Sequence, residues 1–171
     1  MRLLSYCLII AGLLAAGCGY HTPAAGDSWA GEGSRSVCVE LFVNRTAEPY
    51  LDSILTDEVS VQLSRLRLAE ITERCASADL VLSGTITAFS SSNLAYSSRD
   101  EISEYSASVA ATAQLVRRGD SKVLWQGNLS RSETYSAQDS KSQQQAGESL
   151  AARTAARRLA EDLVARLLEN F

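Results

Sequence analysis

The sequence predicts an α/β (α+β) two-layer sandwich, in which two helices pack on one face of a mixed four- to five-stranded sheet. Apolar residues alternate at period two in several segments and recur at helical spacing in two others, and the elements follow the order β-α-β-β-β-β-α. The second face of the segment 105–116 is polar. Both helices are therefore expected on the opposite, apolar face of the sheet.

The first strand and the first helix are predicted between Val37 and Leu66. Apolar residues at period two place Val37, Val39, Leu41 and Val43 on one face of a strand over 37–43. Pro49 suits the first turn of the helix that follows. The apolar stripe of this helix consists of Leu51, Ile54, Leu55, Val59, Leu63 and Leu66. A strand followed by an amphipathic helix predicts a crossover to a short parallel strand at 68–72.

Three stronger strands are predicted next. A strand over 80–89 has Leu80, Leu82, Ile86 and Ala88 on one face, with Gly84 between them. The strand 105–116 is expected to direct Tyr105, Ala107, Val109, Ala111, Ala113 and Leu115 inward, and Ser106, Ser108, Thr112 and Gln114 outward. Gly119-Asp120 marks a hairpin turn, after which the returning strand begins with residues 123–127 and continues to about residue 135.

A polar loop over 136–147 and a long helix over 148–168 complete the predicted domain. The buried stripe of the helix consists of Ala152, Ala155, Ala156, Leu159, Leu163 and Leu167. Its many alanines imply a close approach to the sheet. The helix is expected to leave Arg153, Arg157, Arg158 and Arg166 largely in solvent.

The N-terminal residues are typical of an exported, acylated protein. Met1-Arg2 precedes an uncharged run over 3–17, which is too short to span a bilayer and ends in small residues. We expect residues 1–17 to be a lipoprotein signal peptide cut before Cys18, which would then carry the acyl chains. An ordinary secretory signal with a nearby cysteine is the alternative. Gly19 follows the cysteine, and in this class of proteins a non-acidic residue there favours transport to the outer membrane.

The mature chain is expected to have two parts. Residues 18–35 are small and polar and form a lipidated flexible tether, and residues 36–171 form a single domain. Trp29 in the tether either packs against the domain or anchors at the membrane interface. Cys38 and Cys75 remain in the domain, where an oxidising compartment would allow a disulfide between them. Two buried free thiols are the alternative.

Neither the composition nor the motifs of the sequence indicate an enzymatic activity. The net charge is −4 and no basic stripe is present, which argues against nucleic-acid binding. The one histidine, His21, lies in the predicted tether, so the domain has no His-dependent triad and no multi-His metal site. No Gly-rich phosphate loop, CxxC pair or EF-hand spacing occurs. We expect no enzymatic activity and no cofactor or metal beyond the covalent acyl/diacylglycerol lipid on Cys18.

Four motifs then occur in chain order. They are Gly17-Cys18-Gly19-Tyr20-His21, Phe42-Val43-Asn44-Arg45-Thr46 followed by Pro49 and residues 51–59, the segment ADLVLSG at 78–84, and the segment KVLWQG at 122–127. Together they resemble the LptE family of outer-membrane lipoproteins that assemble lipopolysaccharide. The resemblance covers nearly the whole chain. It implies the sandwich fold above and a plug inside the β-barrel LptD, where the domain supports barrel assembly and helps deliver lipopolysaccharide to the outer leaflet, without enzymatic activity.

The resemblance also gives some residues an expected role. The Ser/Thr/Gln face of the strand 105–116 fits a polar barrel lumen, although an ordinary solvated sheet face explains the same pattern. Arg117, Arg118 and Lys122 around the hairpin turn, and secondarily Arg99, are the candidate contacts for lipopolysaccharide phosphates. Cations at a hairpin tip also serve solubility and edge protection. An auxiliary lipoprotein of another envelope lipid-transport system, not housed in a barrel, is the alternative function, and an enzyme of envelope remodelling is a third.

Overall fold

The computed structural model describes residues 36–67, 69–96 and 102–169. The strands are β1 (Ser36–Val39), β2 (Val43–Asn44), β3 (Glu70–Ile71), β4 (Leu80–Tyr96), β5 (Ile102–Arg117) and β6 (Lys122–Ser136). The helices are α1 (Leu51–Leu66) and α2 (Lys141–Glu169), and a single 3₁₀ turn covers Cys75–Ser77. No helix among these residues is long and apolar enough to cross a membrane.

The described strands form one mixed sheet in the order β3-β1-β4-β5-β6, and β2 also pairs with β4. β1 runs parallel to β3 and to β4, and β2 runs parallel to β4, whereas β4, β5 and β6 are antiparallel. Both helices pack on one face of this sheet. The predicted sandwich is therefore confirmed, and the described part of the chain has six strands because the first predicted strand is divided into β1 and β2.

The division of the first strand also changes which residues are buried. Val37 is buried as predicted, but Leu41 is 63% exposed and Val43 is 53% exposed. Phe42 is only 1% exposed. Residues 40–42 lie between the two strands, so the alternation changes phase and Phe42 enters the core instead of its neighbours. Thr56 of α1 accepts the Phe42 N–H at 3.0 Å. The prediction for Leu41 and Val43 was therefore wrong.

A similar change of phase occurs within β4. The register with β5 shifts between Ile86 and Ala88, which is the signature of a β-bulge. Leu80, Leu82 and Ile86 are fully buried as predicted, but Ala88 is exposed and Phe89 packs against the core instead. The prediction for Ala88 was wrong because one additional residue in the strand reverses the alternation. β4 also extends beyond the predicted end, to Tyr96.

The first helix starts slightly later than the sequence indicates. Tyr50 precedes Leu51 with a left-handed φ of 65°, so Pro49 lies before the first turn and not within it. Leu51, Leu55, Val59 and Leu63 are buried as predicted, whereas Leu66, at the last position of the helix, is 38% exposed. β3 at Glu70–Ile71 pairs in parallel with β1, which confirms the predicted crossover.

The second helix begins at Lys141, so the polar loop predicted over 136–147 is mostly helix. Ser140 Oγ accepts the Gln143 N–H at 3.3 Å and donates to Gln143 Oε1 at 2.9 Å, so Ser140 caps the N-terminus of the helix. The polar residues that follow are helical because this cap starts the helix early. The predicted buried stripe is confirmed, and Ala160 and Val164 extend it.

The core lies between the sheet and the two helices. The sheet contributes the inward residues of β4 and β5, and α1 and α2 contribute their stripes. The inward residues of β5 at 107, 109, 111, 113 and 115 are buried as predicted. Fully buried alanines at 152, 155, 156 and 160 let the backbone of α2 approach β5 and β6 closely. The other face of the sheet, called the open face below, is not covered by either of the two described helices.

Candidate functional site

The structure brings Arg117, Arg118 and Lys122 together at the β5–β6 turn. Arg117 is directly opposite Lys122 in the register of the two strands. Residues 118–121 form the predicted turn, in which Ser121 has a φ of 56°. Cys18, Trp29 and Arg99 lie outside the described residues. The predicted cation cluster is thus one local group of three side chains, called the turn cluster below.

Asp120 organises one side of the turn cluster. Its Oδ2 lies 3.4 Å from Arg117 Nη1, and its Oδ1 accepts the Lys122 N–H at 3.2 Å. The two side chains of this ion pair are 34% and 51% exposed, so solvent weakens their attraction. The ion pair with Asp120 is therefore a weak contribution to the position of the Arg117 side chain.

Arg118 is held on the other side, by the segment between β3 and β4. Its Nη1 donates to the carbonyl oxygen of Cys75 at 2.5 Å, and its backbone N–H donates to the carbonyl of Asp79 at 2.9 Å. Cys75 is joined to Cys38 of β1 by a disulfide, with Cα atoms 5.0 Å apart. The sequence left this pair open between a disulfide and two free thiols.

An apolar row runs across the open face beside the turn cluster. Cys38 of β1 pairs with Val81, Val81 pairs with Val116, and Val116 pairs with Val123. Val123 is 48% exposed and Val81 and Val116 are half-buried. By the same register, Arg117 pairs with the buried core residue Leu80 and with Lys122, so these two cations lie toward the helix side of the sheet and not on the face of this row.

The rest of the open face is mostly polar and uncharged, although the alternation of β5 also places the charged side chain of Glu104 there. Register and alternation place hydroxyl and amide side chains on this face: Ser83, Thr85, Ser90 and Ser92 on β4, Ser106, Ser108, Thr112 and Gln114 on β5, and Gln126, Asn128, Ser130, Ser132 and Thr134 on β6. None of them is buried. A shallow cavity of about 360 Å³ opens between β2, β4, β5 and β6, lined by Val43, Ser83, Thr85, Thr112, Gln114 and Gln126.

The charged groups of β6 lie instead on the helix side. Arg131 contacts Asp162 and Glu133 contacts Arg158, both on α2. The hydrogen bond from Arg131 to Asp162 and the attraction between their charges raise the pKa of Arg131 above its ordinary value. Arg166 donates to the carbonyl of Asn128 at 3.2 Å, so α2 covers part of the outer edge of β6. This contact and the charges that flank it protect that edge against pairing with another strand.

The segment Phe42–Thr46 has a structural role that sequence reasoning did not assign. Asn44 Oδ1 accepts the Thr46 N–H at 2.9 Å and lies 2.7 Å from Thr46 Oγ1, while Asn44 Nδ2 donates to the carbonyl of Glu48 at 2.8 Å. These bonds shape the connection from β2 to α1. Asn followed by Thr two residues later, before a proline, is a turn signal that could have predicted it.

Sequence reasoning also missed most of the open face. It identified only the β5 contribution, because the alternation in 105–116 is regular. Side chains of β4 and β6 join this face through the antiparallel register and the bulge, which periodicity does not reveal. Among the described residues, no group of three or more His, Cys, Asp or Glu side chains could hold a metal ion.

A helix-covered sheet with a mostly uncharged polar face and a cation cluster at one turn is a domain whose accessible surfaces are suited to binding other molecules. Residues 34–167 match the family LptE, described as lipopolysaccharide-assembly. The chain belongs to this family.

Several solved structures share the fold. A protein from Xanthomonas campestris is 15% identical with a TM-score of 0.59, over 80% of this chain and 85% of that one. The rare lipoprotein B from Shewanella oneidensis is 13% identical with a TM-score of 0.56, over 79% and 95%. A minor lipoprotein from Acinetobacter baumannii is 12% identical with a TM-score of 0.55, over 80% and 92%. At these identities the likeness shows the fold alone. No curated protein sequence matches the chain.

Proposed function

We propose that this domain plugs an LptD-type outer-membrane β-barrel, supports the assembly of that barrel, and assists lipopolysaccharide transport and insertion into the outer leaflet. The observation that carries the proposal is the open face, whose central side chains on β4, β5 and β6 are polar and uncharged. The lumen wall of a wide barrel is polar. Hydroxyl and amide groups can exchange hydrogen bonds with water for hydrogen bonds with such a wall, whereas a charge would have to be desolvated.

The dimensions of the open face agree with this role. From Ser83 to Ser92 the polar side chains of β4 extend over roughly 30 Å at the usual rise of a strand. The apolar band on the outside of an outer-membrane barrel is about 25 Å tall. The polar face is therefore long enough to follow the wall of the lumen across the whole membrane.

A single charge on the open face tests the plug. Thr112 is half-buried at the centre of this face, on β5 between β4 and β6. Thr112→Arg should lower the molar share of barrel that co-purifies from outer membranes in mild detergent by about tenfold or more, since an unpaired charge in an interface costs several kcal/mol. Thr112→Ser keeps the hydroxyl and should leave the share unchanged.

Two results would contradict the plug. One is an Arg variant that retains as much barrel as the Ser variant. The other is a native protein that purifies without any heat-modifiable barrel partner, which would support the alternative of an auxiliary lipoprotein in another envelope lipid-transport system.

We assign the turn cluster to lipopolysaccharide contact within this function. Arg117, Arg118 and Lys122 would meet phosphates. Replacing all three with Ser should weaken binding of purified lipopolysaccharide by about tenfold or more. Replacing Arg65, Lys141 and Arg153, which are exposed elsewhere, removes the same charge and serves as the control. Equal affinity of the two triple variants would exclude the turn cluster as a contact.

The anchor completes the proposal. Acylation of Cys18 after removal of residues 1–17 would hold the domain on the periplasmic side of the outer membrane through the tether 18–35. One acyl chain gives marginal membrane binding, so stable attachment requires the several chains of a fully modified cysteine. Mass spectrometry of the N-terminal peptide tests the modification, and Cys18→Ser should release the protein from the membrane fraction in cells that lack the barrel.

A further inference from the structure

We infer that the Cys38–Cys75 disulfide is a positioning device, which holds the Arg118 guanidinium where it can bind a phosphate of lipopolysaccharide. The inference rests on the proposed contact between the turn cluster and lipopolysaccharide. It assigns to the disulfide a part in ligand binding that is separate from its contribution to stability.

The first observation is how the segment 73–77 is attached to the sheet. Its hydrogen bonds within the described chain are local, such as Cys75 N–H to the Glu73 carbonyl at 3.2 Å and Ser77 N–H to the Arg74 carbonyl at 3.0 Å. The exception is the Cys75 carbonyl, which accepts from Arg118. The flanking residues are held to β1 by the bond from the Thr72 N–H to the Val37 carbonyl and by the bonds between Asp79 and Ser36. The disulfide is therefore what ties its middle to β1.

The second observation is how Arg118 depends on this segment. The guanidinium bonds to the carbonyl of the disulfide-linked residue itself, and the backbone N–H bonds to Asp79, at the end of the same segment. Asp79 in turn accepts both the backbone N–H and the hydroxyl of Ser36, each at 2.9 Å. When one guanidinium nitrogen is hydrogen-bonded to a fixed carbonyl oxygen, the remaining N–H donors of the planar group point in a defined direction.

The other two cations supply an internal control. Arg117 contacts Asp120 within the turn, and Lys122 is exposed at the start of β6. Among the described residues, no hydrogen bond joins the Lys122 side chain to the segment 73–77. Loss of the disulfide should therefore disturb Arg118 and leave Lys122 in place. In chemical terms, a dithiol reductant would convert the disulfide to two thiols while it is itself oxidised to its own disulfide.

A double-mutant cycle on the mature, acylated protein in mild detergent separates these contributions, with purified lipopolysaccharide as the ligand. Arg118→Gln and Lys122→Gln are each made in the native background and in a Cys38→Ser/Cys75→Ser background. In the native background we expect each to weaken binding by about tenfold, as a charge-assisted bond is lost. Without the disulfide, Arg118→Gln should weaken lipopolysaccharide binding by less than about twofold, because the contact made by Arg118 is already lost. Lys122→Gln should still weaken binding by its full amount.

Each other outcome has a defined meaning. If Arg118→Gln weakens binding equally in both backgrounds, the disulfide does not position Arg118. The inference is then wrong, while the proposed lipopolysaccharide contact still stands. If both substitutions lose their effect without the disulfide, the whole turn has become disordered, and specific positioning is refuted. If neither substitution matters in the native background, the proposed lipopolysaccharide contact fails and the inference fails with it.

A second measurement covers the case in which the cysteine-free protein folds poorly. The wild-type protein is treated with a dithiol reductant, and hydrogen exchange is measured at single amides. Reduction should speed exchange at the Cys75 and Ser77 amides, while the paired amides of β5 and β6 remain protected. Unchanged protection of the Cys75 and Ser77 amides after complete reduction would overturn the inference.

Discussion

Gly84 provides a demanding test of how the core is built. It lies in β4 opposite Ala113 of β5, on the side of the sheet that faces the helices. A Cβ at this position would lie 2.3 Å from Phe42 Cε1, 2.7 Å from Phe42 Cδ1 and 2.7 Å from the carbonyl oxygen of Thr112. We therefore predict that Gly84→Ala destabilises the domain, because the Phe42 ring occupies the space that a side chain would need.

The magnitude follows from which of these neighbours can move. Phe42 is 1% exposed and enclosed by the core, and the Thr112 oxygen belongs to the backbone of the central antiparallel pair. Overpacking at such sites costs about 1–3 kcal/mol, and the upper part of this range applies because a backbone atom is involved. Replacing Gly with Ala also restricts the unfolded chain, which offsets about 0.4–1 kcal/mol. The net loss should be about 2 kcal/mol in the free energy of unfolding.

Urea denaturation followed by circular dichroism measures this loss, and Tm should fall by about 6–10 °C in a domain of this size. Gly119→Ala is the matched control, because a Cβ there meets no atom within 4 Å, and it should change the free energy of unfolding by less than about 0.5 kcal/mol. Gly84→Ala should cost less when Phe42 is already Leu than when Phe42 is present. A Gly84→Ala variant as stable as the control would refute the placement of the Phe42 ring.

Three further predictions concern other parts of the fold. Cys38→Ser/Cys75→Ser removes a cross-link between residues that are 37 positions apart and should lower the free energy of unfolding by about 4 kcal/mol; a loss below about 1 kcal/mol in urea would contradict this. Leu163→Ala in the buried stripe of α2 should cost about 2–5 kcal/mol, whereas Leu150→Ala, on a residue that is 67% exposed, should cost less than about 0.5 kcal/mol in the same assay. Ser140→Ala removes the cap of α2 and should speed amide exchange over 141–146, with about 1 kcal/mol lost; unchanged exchange would show that the cap is not needed.

Regular periodicity made most of the architecture predictable from sequence. The alternation in 105–116 and the stripe of α2 each persist without interruption, so the buried faces of β5 and α2 could be assigned residue by residue. The errors occur where the backbone changes phase. Leu41 and Val43 were misplaced because β1 and β2 are separate strands, and Ala88 was misplaced because of the bulge after Ile86. An inserted residue reverses the alternation of inward and outward side chains along a strand, and the amino-acid composition does not reveal it.

The start of α2 was missed for a different reason. Residues 141–147 contain little apolar periodicity, so a pattern search describes them as a loop. The signal was present at the boundary itself, where Ser140 and Gln143 have the spacing of a capping box. The turn cluster, by contrast, could be located because a hairpin turn is a local feature. Its connection to Cys75 could not, since that contact joins residues 43 positions apart.

The distribution of charge over the two faces of β6 bears on the alternative of an ordinary solvated sheet. Arg131 and Glu133 are directed toward α2 and paired there, while the intervening side chains on the open face are all uncharged. A strand exposed to water at a sheet edge usually carries charges on its solvent face, since these favour solubility and oppose edge-to-edge association. β6 places its charges on the side where they are matched by a helix. A surface that must be covered by a polar partner would be expected to lack unpaired charges, so this asymmetry supports a face that is covered in the working protein.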